Sequence, residues 1–235
     1  MVEPEDTAKV IVSRAMRRFE RWQTEVHERT DRIFGRLFVG QWLFSIVVAA
    51  WVAPYIFDDE RGGFHPHVVA AACLGLGVIA IPLLMIRNQP GTRVMRHVVA
   101  VCQMLLSGLI IHVTGGRLES HFHVFGSLAF LAFYLDWRVL LTGTATALLD
   151  HALRGQLYPR SIYGTDAVEW SRFAEHGGWI LFCLGFLVYN TRTTLKSWLR
   201  FAEEGGMLEA MAESEWRARS VIDREHEETA TERSA

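Results

Sequence analysis

The chain has 235 residues, half of them hydrophobic, and 24 Lys and Arg against 26 Asp and Glu give a formal charge of −2. With no basic excess, a nucleic-acid partner is not indicated. The charges crowd into the first thirty-odd and last forty residues and leave long apolar stretches between them, the pattern of a membrane protein with two polar ends.

Segment 4–33 reads as a cytoplasmic amphipathic helix, with Val10, Ile11, Met16, Phe19, Trp22 and Val26 set among charges. It is expected to lie along the inner membrane surface or to pack under the bundle. Six spans follow, near 34–57, 67–86, 94–114, 118–135, 137–153 and 173–191. The fourth and fifth are short and joined by Asp136-Trp137-Arg138, which reads as a helical hairpin with an anchoring charge pair on its inner side. Beyond them, Leu195, Trp198, Leu199, Ala202, Leu208, Met211 and Ala218 recur at helical spacing. A signalling helix over 192–222 is expected, paired with a second protomer as a parallel coiled coil and interrupted at Gly205-Gly206. The polar tail 223–235 is expected to be disordered. The N-terminus is charged well before the first apolar run, so no cleavable signal peptide is expected.

The predicted fold class is therefore all-α: an integral membrane helical bundle of about six transmembrane helices over 34–191, with a cytoplasmic C-terminal signalling helix. Arginines set its orientation. Arg14 to Arg36 precede the first span, Arg87, Arg93 and Arg96 join the second to the third, and Arg192, Lys196 and Arg200 follow the sixth. Both termini are thus expected in the cytoplasm, with the bundle in the inner (plasma) membrane. Cys73, Cys102 and Cys183 lie inside apolar stretches without CxxC spacing and read as small hydrophobes.

This threading brings His112, His121, His123, His151 and His176 to one depth near the outer face, with Glu119, Asp150 and Glu175 beside them. Imidazole next to hydrocarbon needs a partner, and neutral imidazole is the usual ligand of zinc, copper and iron. The expected site is a transition metal or haem held by His112, His121, His151 and His176. Glu119 and His123, four apart on one helical face, are further metal candidates. His65 and His67 flank Pro66 and read as peripheral. Tyr158 to Gly164 is turn-rich, an ordinary loop or a cap over the outer cluster.

At His112-x-x-x-Gly116-x-x-Glu119-x-His121-Phe122 the chain resembles the membrane sensor region of bacterial chemoreceptors, hybrid sensor histidine kinases and diguanylate cyclases. The likeness continues through Leu128-Ala129-Phe130-Leu131, Asp136-Trp137-Arg138, Asp150-His151 and Glu175-His176, covering roughly 110–180. It implies an input module whose sixth span hands a signal to a cytoplasmic output. Ala212 to Asp223 looks like the linker that leads into a PAS domain in such proteins. The chain ends about a dozen residues later, so output is expected through a signalling partner, or the chain is a fragment.

The expected function is thus a non-enzymatic sensory module, dimeric, surrounded by lipid, and reporting to a kinase, chemotaxis or cyclic-di-GMP partner. Two other readings stand beside it. An iron-dependent membrane enzyme would use HxxxH or HxxHH boxes, and neither occurs. A pH-responsive network of His, Asp and Glu needs no metal at all.

Overall fold

The computed structural model describes residues 4–56 and 66–234, with side chains over 11–52, 66–224 and at His226. His65 and the loop charges Asp58, Asp59, Glu60 and Arg61 lie outside the described residues. Within them every regular element is helical: α1 (Pro4–Ile56), α2 (Pro66–Asn88), α3 (Arg93–Val113), α4 (Leu118–Leu131) with a 3₁₀ turn at Ala132–Tyr134, α5 (Trp137–Leu157), α6 (Arg160–Tyr163) and α7 (Trp170–Ser234). Three are long and apolar enough to cross a membrane: the Ile11–Val52 part of α1, Pro66–Asn88 and Arg93–Val113.

The breaks between helices follow local chemistry. Thr92 caps α3 by accepting from Met95 N–H at 3.2 Å, and Asp136 caps α5 by accepting from Arg138 N–H at 3.1 Å. Glycines take the left-handed turns, Gly91 before α3 and Gly115-Gly116 after it. Leu135, at φ 52°, adopts the same conformation with a side chain attached. It ends the α4 hairpin arm under strain of about 1–2 kcal/mol.

Two compact units divide the chain: Met1–Gln23 with Thr194–Ala235, and Thr24–Thr193. In the larger unit α3 is the central helix and packs on α2, α4, α5 and α6. Its Met95, Val99, Leu106 and Ile111 are completely enclosed. In a bilayer that enclosure is rewarded by close packing rather than by escape from water, because lipid tails are as apolar as leucine. Small residues allow the packing: a Cβ at Gly143 of α5 would meet Leu131 Cδ1 at 2.8 Å.

The smaller unit corrects several expectations. The start of α1 is one helix with the first span and has no break at 33–34. It runs antiparallel to the end of α7, where Trp22 stacks on Trp198 at 4.4 Å and Arg14 and Arg18 pair with Glu213 and Glu209. Part of the apolar stripe expected to face a second protomer is therefore spent within the chain. Gly205-Gly206 does not interrupt α7. A Cβ on Gly206 would sit 3.4 Å from Ile11 Cγ2, so that glycine allows close contact with α1. Helix α7 also continues past Asp223 to Ser234, against the expected disorder, because extending a formed helix needs no new nucleus.

Candidate functional site

His112, His121, His123, His151 and His176 divide into three groups. His121 (α4), His151 (α5) and His176 (α7) come together. The ring of His121 lies 5.4 Å from that of His151 and 5.2 Å from that of His176, centroid to centroid. Each of the three binds its own helix in the same way. Nδ1 of His121 donates to Arg117 O at 2.9 Å, that of His151 to Ala147 O at 3.0 Å, and that of His176 to Arg172 O at 2.7 Å.

A carbonyl oxygen can only accept, so in all three rings the proton is on Nδ1. In the neutral ring Nε2 then carries the lone pair. This is the tautomer found when the outer nitrogen of a ligating imidazole is fixed by a second partner. His121 and His151 are buried, and Nε2 of His121 has no hydrogen-bond partner. An enclosed acceptor without a donor costs about 1–3 kcal/mol. Beside His121 and His176 opens an 820 Å³ cavity walled by Phe122, Phe125, Trp179 and Phe182.

His112 stands in a second group. Its Nδ1 is 2.9 Å from Ser161 Oγ, which also accepts from Arg154 Nη1 at 2.8 Å. Arg154 grips Asp150 through Nε at 2.8 Å and again through Nη2. His67 and Tyr158 approach the His112 ring at 5.1 and 6.0 Å. Asp150 Oδ2 lies 3.4 Å from His151 Nδ1 and so touches the first group. Within Tyr158–Gly164, α6 buries Ser161, Ile162 and Tyr163 and packs on α3 and α5. Gly116 permits it, since a Cβ there would meet the Ile162 carbonyl at 2.6 Å.

His123 points elsewhere. It joins a buried polar chain through Ser107 at 2.9 Å, Ser127 at 3.3 Å and Gln41 at 3.2 Å, with Gln103 donating to Ser127 at 2.8 Å. Glu119 is exposed and faces Arg117 at 3.5 Å. The α4 helix is regular, so residues 121 and 123 diverge by two steps of about 100° and serve different neighbours. Among the described residues no three His, Cys, Asp or Glu side chains form a ready-made ion site.

Sequence reasoning missed a cluster around Arg96, near the start of α3. Arg96 donates to His27 Nδ1 at 2.6 Å, to Gly91 O at 3.2 Å and to Asp136 Oδ2 at 3.2 Å. His27 Nε2 in turn meets Tyr134 O at 3.1 Å. Asp31 accepts from Tyr134 O–H and from Gly91 N–H, both at 2.6 Å. Asp136 therefore pairs with Arg96, while Arg138 and Arg192 lie over the Trp137 ring at 5.5 and 4.6 Å. The available signal was Asp31 and His27 spaced four apart on α1, one face of a helix read as generically amphipathic.

No family model matches the chain, and no solved structure matches it. It is similar to the transducer protein Htr8 of Halobacterium salinarum, 28% identical over 141 residues. The match covers 56% of this chain but only 21% of the transducer.

Proposed function

We propose that this chain is the membrane-embedded input module of a signal transducer, and that it binds a transition metal ion near the outer face through His121, His151 and His176. The observation that carries the metal reading is the common state of the three rings: Nδ1 held by the carbonyl four residues back, with Nε2 left as the donor atom. The spacing agrees with it. Two imidazoles on one tetrahedral ion at about 2.0–2.1 Å have ring centroids about 5 Å apart, whereas opposed ligands of a haem stand more than about 6 Å apart. Copper, zinc and iron all accept such donors.

The sensory part of the reading rests on the likeness to a transducer. Six spans are proposed, with α4, α5 and the first part of α7 crossing beside the three apolar helices. Their outward faces support this, since Leu149, Phe182 and Phe186 are 62–71% exposed, a surface suited to lipid. Arginine placement puts both termini in the cytoplasm. There α7 would pass movement at the histidines to a signalling partner, as one copy or as a dimer.

The test is metal analysis of the detergent-purified protein together with its absorption spectrum. One transition metal per chain, lost in His121→Ala and His151→Ala but kept in His123→Ala, is the expected result. A colourless protein that binds no added copper, zinc or iron would overturn the metal reading. An intense haem band would replace it with the haem alternative, for which the 820 Å³ aromatic cavity beside His121 has room.

A further inference from the structure

A larger cavity, of 1140 Å³, forms a trough between α2, α3 and α5. Its walls are apolar and open sideways, with Leu74, Ile81 and Val94 56–63% exposed. From Val94 to Gly108, two of its lining residues, α3 rises about 21 Å at 1.5 Å per residue. That is most of a hydrocarbon layer of about 30 Å. Only its ends are polar: Arg93 and His97 at one, and His112, Asp150, Arg154 and Tyr158 at the other.

The second end has the chemistry of a head-group site. Gly108 lets the Asp150–Arg154 pair lie directly against α3 at this end, since a Cβ there would meet Arg154 Nη2 at 2.8 Å and Asp150 Oδ2 at 3.0 Å. Of the five N–H groups of Arg154, one each on Nε, Nη1 and Nη2 is engaged by Asp150 and Ser161, leaving two. The Tyr158 ring is 43% exposed, and its hydroxyl is a further donor. The bound Asp150 carboxylate cancels the Arg154 charge locally. The end therefore offers hydrogen-bond donors with little net positive charge, which suits neutral carbonyl oxygens better than a phosphate.

We infer that this trough binds a neutral, chain-bearing lipophile with carbonyl oxygens at its head, the chemistry of a membrane quinone. The head lies against Arg154 and Tyr158, and the tail runs along α3 towards Val94. This trough shares no lining residue with the proposed metal site at His121, His151 and His176 and adjoins it through Asp150, whose Oδ2 lies 3.4 Å from His151 Nδ1.

The experiment uses the full chain in phosphatidylcholine nanodiscs, titrated with decylubiquinone and read by native mass spectrometry. Saturable binding of one molecule per chain is expected. Gly77 lines the trough, and nothing lies within 4 Å of a Cβ placed there, so Gly77→Phe fills the space without disturbing the fold. It is expected to weaken binding at least tenfold, and Tyr158→Phe severalfold. Gly126→Phe, equally open but on α4, is expected to bind like the wild type. Non-saturable uptake, indifference to Gly77→Phe, or equal displacement by phosphatidylglycerol would overturn the proposal. The last outcome would make the trough an ordinary lipid groove.

Discussion

The Tyr134 hydroxyl donates to Oδ1 of Asp31 at 2.6 Å, joining two residues 103 positions apart in the chain. Neither group is exposed. Tyr134 leads into the strained Leu135, and Asp31 also receives Gly91 N–H. One carboxylate thus holds α1, the α2–α3 turn and the α4–α5 turn together. Tyr134→Phe keeps the ring stacked on Phe34 at 5.6 Å and removes only the donor. A hydrogen bond to a charged group is worth about 1.5–3 kcal/mol, and thermal unfolding in detergent should show a loss of that size.

Arg96 should matter more than any surface arginine. Its side chain is 7% exposed, its partner Asp136 is 20% exposed, and it also serves His27. Arg96→Gln leaves the half-buried Asp136 carboxylate with only its cap bond from Arg138 N–H, and Nδ1 of His27 without its donor. Breaking a buried pair from one side costs about 3–5 kcal/mol. The same unfolding assay should rank this variant below Tyr134→Phe, while Arg138→Gln, whose partner is the face of Trp137, should be nearly neutral.

Two glycines should respond oppositely to alanine. Gly116 has φ 72°, and a Cβ there meets the backbone of Ile162 at 2.6 Å and Gly164 N at 2.7 Å. Strain of roughly 1–3 kcal/mol adds to displacement of α6, so Gly116→Ala should lower stability and loosen Ser161 from His112. Gly126→Ala meets nothing within 4 Å and should gain about 0.5–1 kcal/mol from helix propensity alone.

The α1–α7 pair should loosen in acid. Hydrogen bonding and the charge of Arg18 hold the Glu209 carboxyl below the ordinary carboxylate range. A group depressed on folding contributes above its unfolded value and loses that contribution as pH falls through the folded one. Both side chains are half exposed, so the effect is small and salt-sensitive. Hydrogen-exchange protection over 11–22 and 205–213, taken relative to the intrinsic rate at each pH, should fall below the usual carboxylate range, and Glu209→Gln should weaken that response while the Arg14–Glu213 pair remains.

The histidine groups can be separated by function as well as by position. His123→Gln should destabilise the buried Ser107–Ser127–Gln103 chain and leave metal content unchanged. Glu119→Gln should change neither, since its carboxylate faces solvent and Arg117. If either variant emptied the metal, the grouping of His121 with His151 and His176 would be wrong.

Periodicity and charge determined the helical character of the chain and the place of its apolar stretches, because a backbone outside water must satisfy its own hydrogen bonds within each helix. That His112, His121, His151 and His176 fall towards helix ends was legible for the same reason: rise per residue is constant, so position along a helix can be counted. Which histidines share a centre was not. Rotation about each helix axis is set by packing, and His112, His121 and His123 reach different neighbours although they lie within twelve residues. Tertiary structure alone also decided that Tyr134 meets Asp31, and that Gly205-Gly206 is a contact surface rather than a break. Those outcomes depend on what stands opposite a side chain, and a linear pattern records only which face it is on.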